Sequence, residues 1–219
     1  MTGDISLELD FPGVTATLSS EALVLRSEKG LDTLASAVVG GGFTQTRCIV
    51  NRHVSRDYRQ ADPEGDLRSF AARHGIGVPF VGLMTAVYLD QTQWATRHVD
   101  GLTVAAVVTA GLSNPTSAGL SSPALLTPGT INIIVLVDGQ LTPAALVNAV
   151  ITVTEAKTHL LLERGLHTPE GFPATGTSTD AVVVASTGRG ARLAYAGPAT
   201  QIGCLIGQVV RQALGVALK

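Results

Sequence analysis

Cysteine is almost absent from this 219-residue chain, with Cys48 and Cys204 the only two. They stand far apart, without a Cys-x-x-Cys or a paired Cys/His spacing, so neither a disulfide framework nor a common zinc motif is encoded. Both read as small buried apolar residues of a reducing compartment. Aromatic residues are 4% of the chain, which argues against an aromatic-rich binding face. Charged residues are 15%, against a usual share of about 25%, and the net charge is −2. The clustered lysine and arginine of a duplex binder are missing, so no nucleic-acid partner is expected. No apolar run reaches the roughly 18–20 residues that a membrane-spanning helix needs. The longest, near Gly101–Leu112 and Ile131–Val137, fall well short. The chain begins Met-Thr-Gly-Asp-Ile-Ser, with an acid and no apolar signal core, so a cytoplasmic location is expected.

What the chain does contain is 45% hydrophobic residues, 24 glycines, ten prolines and many threonines. That excludes bulk disorder and suffices for a full core without staples. No repeat and no low-complexity linker divides it, so a single domain over residues 1–219 is expected. Ala22–Arg26 and Thr46–Asn51 are short, β-rich and bounded by turn residues. Thr103–Ala110, Ile131–Val137 and Ala181–Ser186 are nearly continuous apolar runs, as in central strands covered on both faces. Asp62-Pro63 opens a helix that stops at Gly75, with Asp as cap and Pro at the first helical position. Thr142-Pro143 opens a longer one reaching about Arg164, and Thr200 caps a last one running to about Leu218. A further helix is read across Val81–Leu89. Strands interleaved with helices predict an α/β or α+β fold: a single layered domain with a largely buried mixed sheet packed by helices.

The sequence carries no phosphate-binding Gly-x-x-x-x-Gly-Lys loop, no His-Glu-x-x-His and no Gly-x-Ser-x-Gly elbow, and no metal site is expected. Other segments stand out. Gly40-Gly41-Gly42 permits close approach to a ligand or a flexible turn. Thr109–Pro115 leaves an apolar strand for a polar loop, where Asn114 can both donate and accept, as an amide-bearing ligand requires. Asn132 follows Pro128-Gly129-Thr130 and sits inside an apolar run, so it needs hydrogen-bond partners from the fold or from a ligand. On the long helix, Asn148, Thr152, Glu155 and His159 form one stripe and Leu146, Val150, Val153, Lys157 and Leu161 another. Lys157 therefore interrupts an apolar stripe, and must snorkel, pair with a carboxylate or lose its proton. Ala174–Asp180 packs four hydroxyls and a carboxylate directly before an apolar strand, a suitable setting for acid–base chemistry. His74, His98 and His167 read as loop or helix-end residues, while His53, at a strand end beyond Asn51, is the better site candidate.

These segments occur in a particular order: G-G-G at 40–42, N-x-x-V at 51–54, D-Y at 57–58, D-P at 62–63, V-G-L-M-T-A at 81–86 and V-T-A-G-L-S-N at 108–114. P-G-T-I-N-I-I at 128–134, T-E-A-K-T at 154–158, A-T-G-T-S-T-D at 174–180 and Y-A-G-x-x-T-x-I-G at 195–203 complete it. In this the chain resembles the adenosylcobinamide amidohydrolase family across roughly residues 10–215. The resemblance implies corrinoid salvage: hydrolysis of the amide between the corrin ring side chain and aminopropanol, giving adenosylcobyric acid. It implies a small-molecule corrinoid partner whose cobalt belongs to the substrate, and no cofactor of the protein's own. One departure is Pro198-Ala199 before Thr200, where the resemblance leads to a His-Thr pair.

Amide hydrolysis needs a nucleophile, proton transfer and oxyanion stabilisation. Lys157 or Asp180 is the expected proton-transfer group, with Glu155 as the alternative base. Thr177 or Thr179 is expected as the hydroxyl nucleophile or as the group that orients water. Asn114, Thr130 and Asn132 are expected to hydrogen-bond the ring amides or the oxyanion. Gly41, Gly42, Asn51, His53, Met84, Thr85, Thr175 and Thr200, all within the shared segments, complete the expected substrate-binding set. A non-catalytic corrinoid-binding protein and an amidase for another amide are the competing readings, and a homo-oligomer is left open.

Overall fold

The computed structural model describes residues 4–123 and 129–219, so Pro128 of the Pro-Gly-Thr-Ile-Asn segment lies outside the described residues. In chain order the elements are β1 (Ile5–Leu7), β2 (Val14–Leu18), β3 (Ala22–Ala35), β4 (Gly42–His53), α1 (Pro63–Arg73), β5 (Val81–Thr85), β6 (Gln93–Val99) and β7 (Leu102–Ala110). They continue with β8 (Pro115–Thr116), β9 (Ile131–Asp138), β10 (Gln140–Leu141), α2 (Pro143–Glu163), β11 (Gly176–Thr177), β12 (Ala181–Ser186), β13 (Arg192–Leu193) and α3 (Gln201–Ala217). Nine strands form one mixed sheet in the order β1-β2-β3-β12-β9-β7-β6, from which β4 and then β5 branch at β3. β12 runs parallel to β9 and β4 parallel to β5, and the remaining pairs of this sheet are antiparallel.

The branch comes from a bulge. Between Arg26 and Leu31 the β3–β4 register shifts, which bends the long hairpin. The first half of β3 lies between β2 and β4, and its second half lies between β4 and β12. The sheet therefore curls around an inner core that includes Leu23, Leu25, Ile49, Leu83, Val107, Ile134 and Val183. Its outer faces are covered separately. Ile133 and Val135 pack with Val153 and Leu161 of α2 and Ile206 and Val210 of α3. Val50 and Phe80 pack with Leu67 and Phe70 of α1. β9 is buried on both faces, which is why its sequence is apolar without a break.

The three helices begin where their caps predict: Asp62, Thr142 and Thr200 each accept a backbone N–H from the third residue onward. The central strands coincide with the apolar runs. The helix expected over Val81–Leu89 is not formed. Val81–Thr85 is β5, followed by a bend and a 3₁₀ turn at Leu89–Gln91. This strand is enclosed on both sides, so it shows no alternation by which to tell it from a buried helix. Gly82 makes that fit, because Leu67 Cδ2 lies 2.7 Å from where a Cβ would stand. Two smaller corrections concern His98, which lies on β6 and not in a loop, and Cys204, which is exposed on α3. An exposed thiol on the outer side of a terminal helix carries no signature in the helix's own apolar stripe.

Candidate functional site

The carboxyl ends of β4, β5 and β7 meet the amino ends of β9 and β12 at one end of the sheet: His53 pairs with Thr85, Ala110 with Ile131, and Asn132 with Ala181. Strand parity then sorts the polar residues. Asn132 shares a face with Ile134 and Leu136, which belong to the inner core, while Ile131 and Ile133 face the helices.

On the inner face a buried amide network has formed. Asn132 Nδ2 donates to Asn51 Oδ1 and to the Met84 carbonyl, each at 2.9 Å. Asn51 Nδ2 donates to Thr109 Oγ1 at 3.0 Å. The Thr130 hydroxyl shares its proton between Asn132 Oδ1 at 3.0 Å and the Thr179 carbonyl at 2.7 Å. Thr85 is buried beside them, its Oγ1 accepting from the Val87 N–H. At the rim, His53 Nδ1 lies 3.0 Å from the Val87 carbonyl. A carbonyl only accepts, so Nδ1 carries a proton, and in the neutral form of the ring the lone pair is therefore at Nε2. The His53 ring stacks on Tyr88, with centroids 5.4 Å apart. Tyr88 in turn lines a cavity of about 110 Å³ together with Arg56, Ala86, Val87, Ala110 and Gly111.

On the helix face, Lys157 from the middle of α2 forms an ion pair with Asp180 Oδ2. Side-chain exposure is only 9% for Lys157 and 14% for Asp180, so the pair is largely shut off from water. The second carboxylate oxygen accepts from the N–H groups of Ile131 and Thr177, each at 3.1 Å, and from the Thr177 hydroxyl. A Cβ at Gly176 would stand 2.7 Å from Lys157 Nζ, so only glycine lets the backbone cover the ammonium. The rest of the hydroxyl-rich loop is stitched to its surroundings. Thr158 Oγ1 donates to the Thr175 carbonyl, the Ala118 N–H to Thr175 Oγ1, Asn114 Nδ2 to Ser178 Oγ and Thr179 Oγ1 to the Gly129 carbonyl. β11 pairs with β8, tying this loop to the one that follows β7.

The fold thus gathers Asn51, His53, Met84, Thr85, Asn114, Thr130, Asn132, Lys157, Thr175, Thr177, Thr179 and Asp180 at one end of the sheet. It leaves out four expected residues. Glu155 is exposed on α2. Gly41 and Gly42 are exposed at the start of β4, while Asn51 and His53 end that strand. Thr200 caps α3, whose first residue, Gln201, donates to Asp100 in the β6–β7 turn, the end of β7 away from Ala110. Thr109, Ser178 and Tyr88 were not among the expected residues. Thr109 had a signal, being a hydroxyl inside an apolar run. Nearby, Arg52 Nη1 lies 2.8 Å from Asp66 and the Tyr58 hydroxyl donates to Asp66 at 2.9 Å, joining β4 to α1. Burial and the Asp66 hydrogen bond push the Tyr58 phenol up to about 12. For Asp66 burial acts upward, but the bonds from Tyr58 and Arg52 outweigh it and hold the carboxyl below its ordinary value.

The sequence profile of the adenosylcobinamide amidohydrolase family matches residues 12–219. The chain belongs to this family. A Methanosarcina mazei protein named adenosylcobinamide amidohydrolase is 32% identical over 200 residues, covering 87% of this chain and 92% of that protein. A Halobacterium salinarum protein of the same name is 38% identical over 122 residues, 52% of this chain and 50% of that one. Among solved structures, the PH0078 protein from Pyrococcus horikoshii aligns with a TM-score of 0.50 at 13% identity, covering 99% of this chain and 83% of that chain, a likeness of fold alone. For this member of the adenosylcobinamide amidohydrolase family, the segments 81–86, 108–114, 154–158 and 174–180 converge on the cluster described above. The segment 195–203 lies at the other end of the sheet.

Proposed function

We propose that this chain hydrolyses the amide joining the corrin side chain to aminopropanol in adenosylcobinamide, releasing adenosylcobyric acid and aminopropanol for corrinoid salvage. The observation that carries this reading is the family match over residues 12–219, to which the convergence of its distinctive segments at one end of the sheet adds support. The chemistry there suits the substrate. A corrin rim is amide-rich and uncharged, and the side chains gathered here include Asn114, Thr175, Ser178 and Thr179, which are polar without net charge. Hydrolysis changes no oxidation state, so the reaction in this reading requires no redox cofactor, and the cobalt travels with the substrate.

In the proposed mechanism His53 does more than bind. Its Nε2 lone pair takes a proton from water as the water oxygen bonds to the amide carbon. The same proton is then delivered to the departing aminopropanol nitrogen as the C–N bond breaks. The Lys157–Asp180 pair is assigned a positioning role instead of the proton transfer expected for it, because its carboxylate oxygens are already engaged. It fixes the loop that presents Thr175, Ser178 and Thr179. The test is to incubate the purified protein with adenosylcobinamide and follow adenosylcobyric acid and free aminopropanol by mass spectrometry. Recovery of intact, protein-bound adenosylcobinamide would replace the enzyme with a corrinoid-binding protein. Turnover of other amides but not this one would replace the substrate.

A further inference from the structure

Away from this site, a hollow of about 840 Å³ opens at the β3 bulge. It is bounded by Arg26, Lys29 and Arg47 from the β3–β4 hairpin, by Val78 and Pro79 before β5, and by Thr187 and Gly188, which follow the end of β12 away from Asp180. Its three cations make no ion pair among the described residues, whereas Arg52, Arg68, Arg189 and Arg211 each hold a carboxylate. The one carboxylate in the lining, Asp32, accepts from Gln45 Nε2 at 2.9 Å. Glu28 lines a smaller neighbouring hollow with Lys29 and Arg189. Arg26 stands directly across from Cys48 in the hairpin register, and its charge opposes the rise that burial imposes on that thiol.

Unpaired cations around a concavity focus a positive field where an anion would sit. Guanidinium groups match phosphate oxygens bidentately, and lysine adds a point charge. The volume lies within the range of about 300–1,000 Å³ typical of small-molecule sites. An apolar lip is present as well, since Val78 is 75% exposed beside the cations. We propose that this hollow binds a phosphorylated small molecule of nucleotide size, with its phosphates on Arg26, Lys29 and Arg47 and its organic part against Val78 and Pro79. The proposal is independent of the amide-hydrolysis reading, because the two sites share no residue.

Calorimetric titration of the full chain with ATP, tripolyphosphate and adenosine tests it. ATP and tripolyphosphate should both bind, ATP more tightly, and adenosine should not. The double variant Arg26→Gln/Arg47→Gln should weaken ATP binding at least tenfold. Both positions are exposed, so its melting temperature and any amide turnover should match the parent chain. Lys29→Gln should weaken binding less, giving a second readout. Absence of binding by both polyphosphates at millimolar concentration would overturn the proposal, as would a double variant that binds ATP like the parent. Equal affinity for ATP and tripolyphosphate would remove the nucleotide from it.

Discussion

A lysine on the apolar stripe of a helix must snorkel, lose its proton or find a countercharge, and Lys157 finds a countercharge in Asp180. Because both groups are largely buried, each depends on the other. Replacing one leaves a stranded charge or an orphaned donor, at a cost of about 3–5 kcal/mol. Lys157→Met and Asp180→Asn should each lower stability by that order in urea unfolding. The double variant should lose less than the two single losses combined. Simple additivity would show that the pair does not act as a unit. His53 makes the opposite prediction. It is half-buried, a glutamine amide can keep its bond to Val87, and its stacking partner Tyr88 is itself exposed. His53→Gln should therefore leave the melting temperature near that of the parent while lowering turnover of adenosylcobinamide by about 10²–10⁴-fold, the usual range for a general base. Turnover within a few-fold of the parent would exclude the role.

At the scale of elements, α1 is held to β4 by the Arg52–Asp66–Tyr58 cluster and by Arg52 lying 4.8 Å above the Phe70 ring centroid. The Asp66 carboxyl is depressed in the folded chain. Its contribution is therefore fully present above the unfolded value of about 3.9 and is lost as pH falls through the folded value. Urea unfolding followed from about pH 5 down to about pH 2 should show a loss of stability below the unfolded value that Asp66→Asn flattens, and an unchanged slope would remove Asp66 from the linkage. How legible these elements were depended on what carries their signal. Asp62-Pro63, Thr142-Pro143 and Thr200 write helix starts into local sequence, and β7, β9 and β12 announce themselves as apolar runs. β5 was misread because burial on both faces erases its period. β1 and β2 went unread because they are short and lie at the sheet's edge. In the site, Lys157 and Asn132 were legible as polar residues in apolar settings. Their partners' identities were less so, since Asn51 meets Thr109 and Asn132 across separations of 58 and 81 residues.

For the whole molecule, the decisive feature is that β4 and β5 are not hydrogen-bonded strand to strand with β7 or β9. They branch from β3 and fold back, so the two wings of the sheet meet through side chains. Most of that meeting is apolar, around Leu83, Val107 and Ile134. At the open end it is polar, through the bonds of Asn132 to Asn51 and Met84 and of Asn51 to Thr109. Asn132 is 1% exposed, so an orphaned partner there cannot turn to water. Asn132→Leu would strand Asn51 Oδ1 and the Met84 carbonyl, at about 1–3 kcal/mol for each group left unsatisfied. Asn51→Leu would instead strand one Asn132 donor and Thr109. If the amide network joins the wings as one unit, the Asn51→Leu/Asn132→Leu double variant removes both ends of the shared bond. Its loss should then fall short of the combined single losses by about 0.5–3 kcal/mol, the range for residues in contact. Denaturant melts of the four chains give that coupling directly. Additivity within about 0.5 kcal/mol would mean that the apolar core alone holds the wings together.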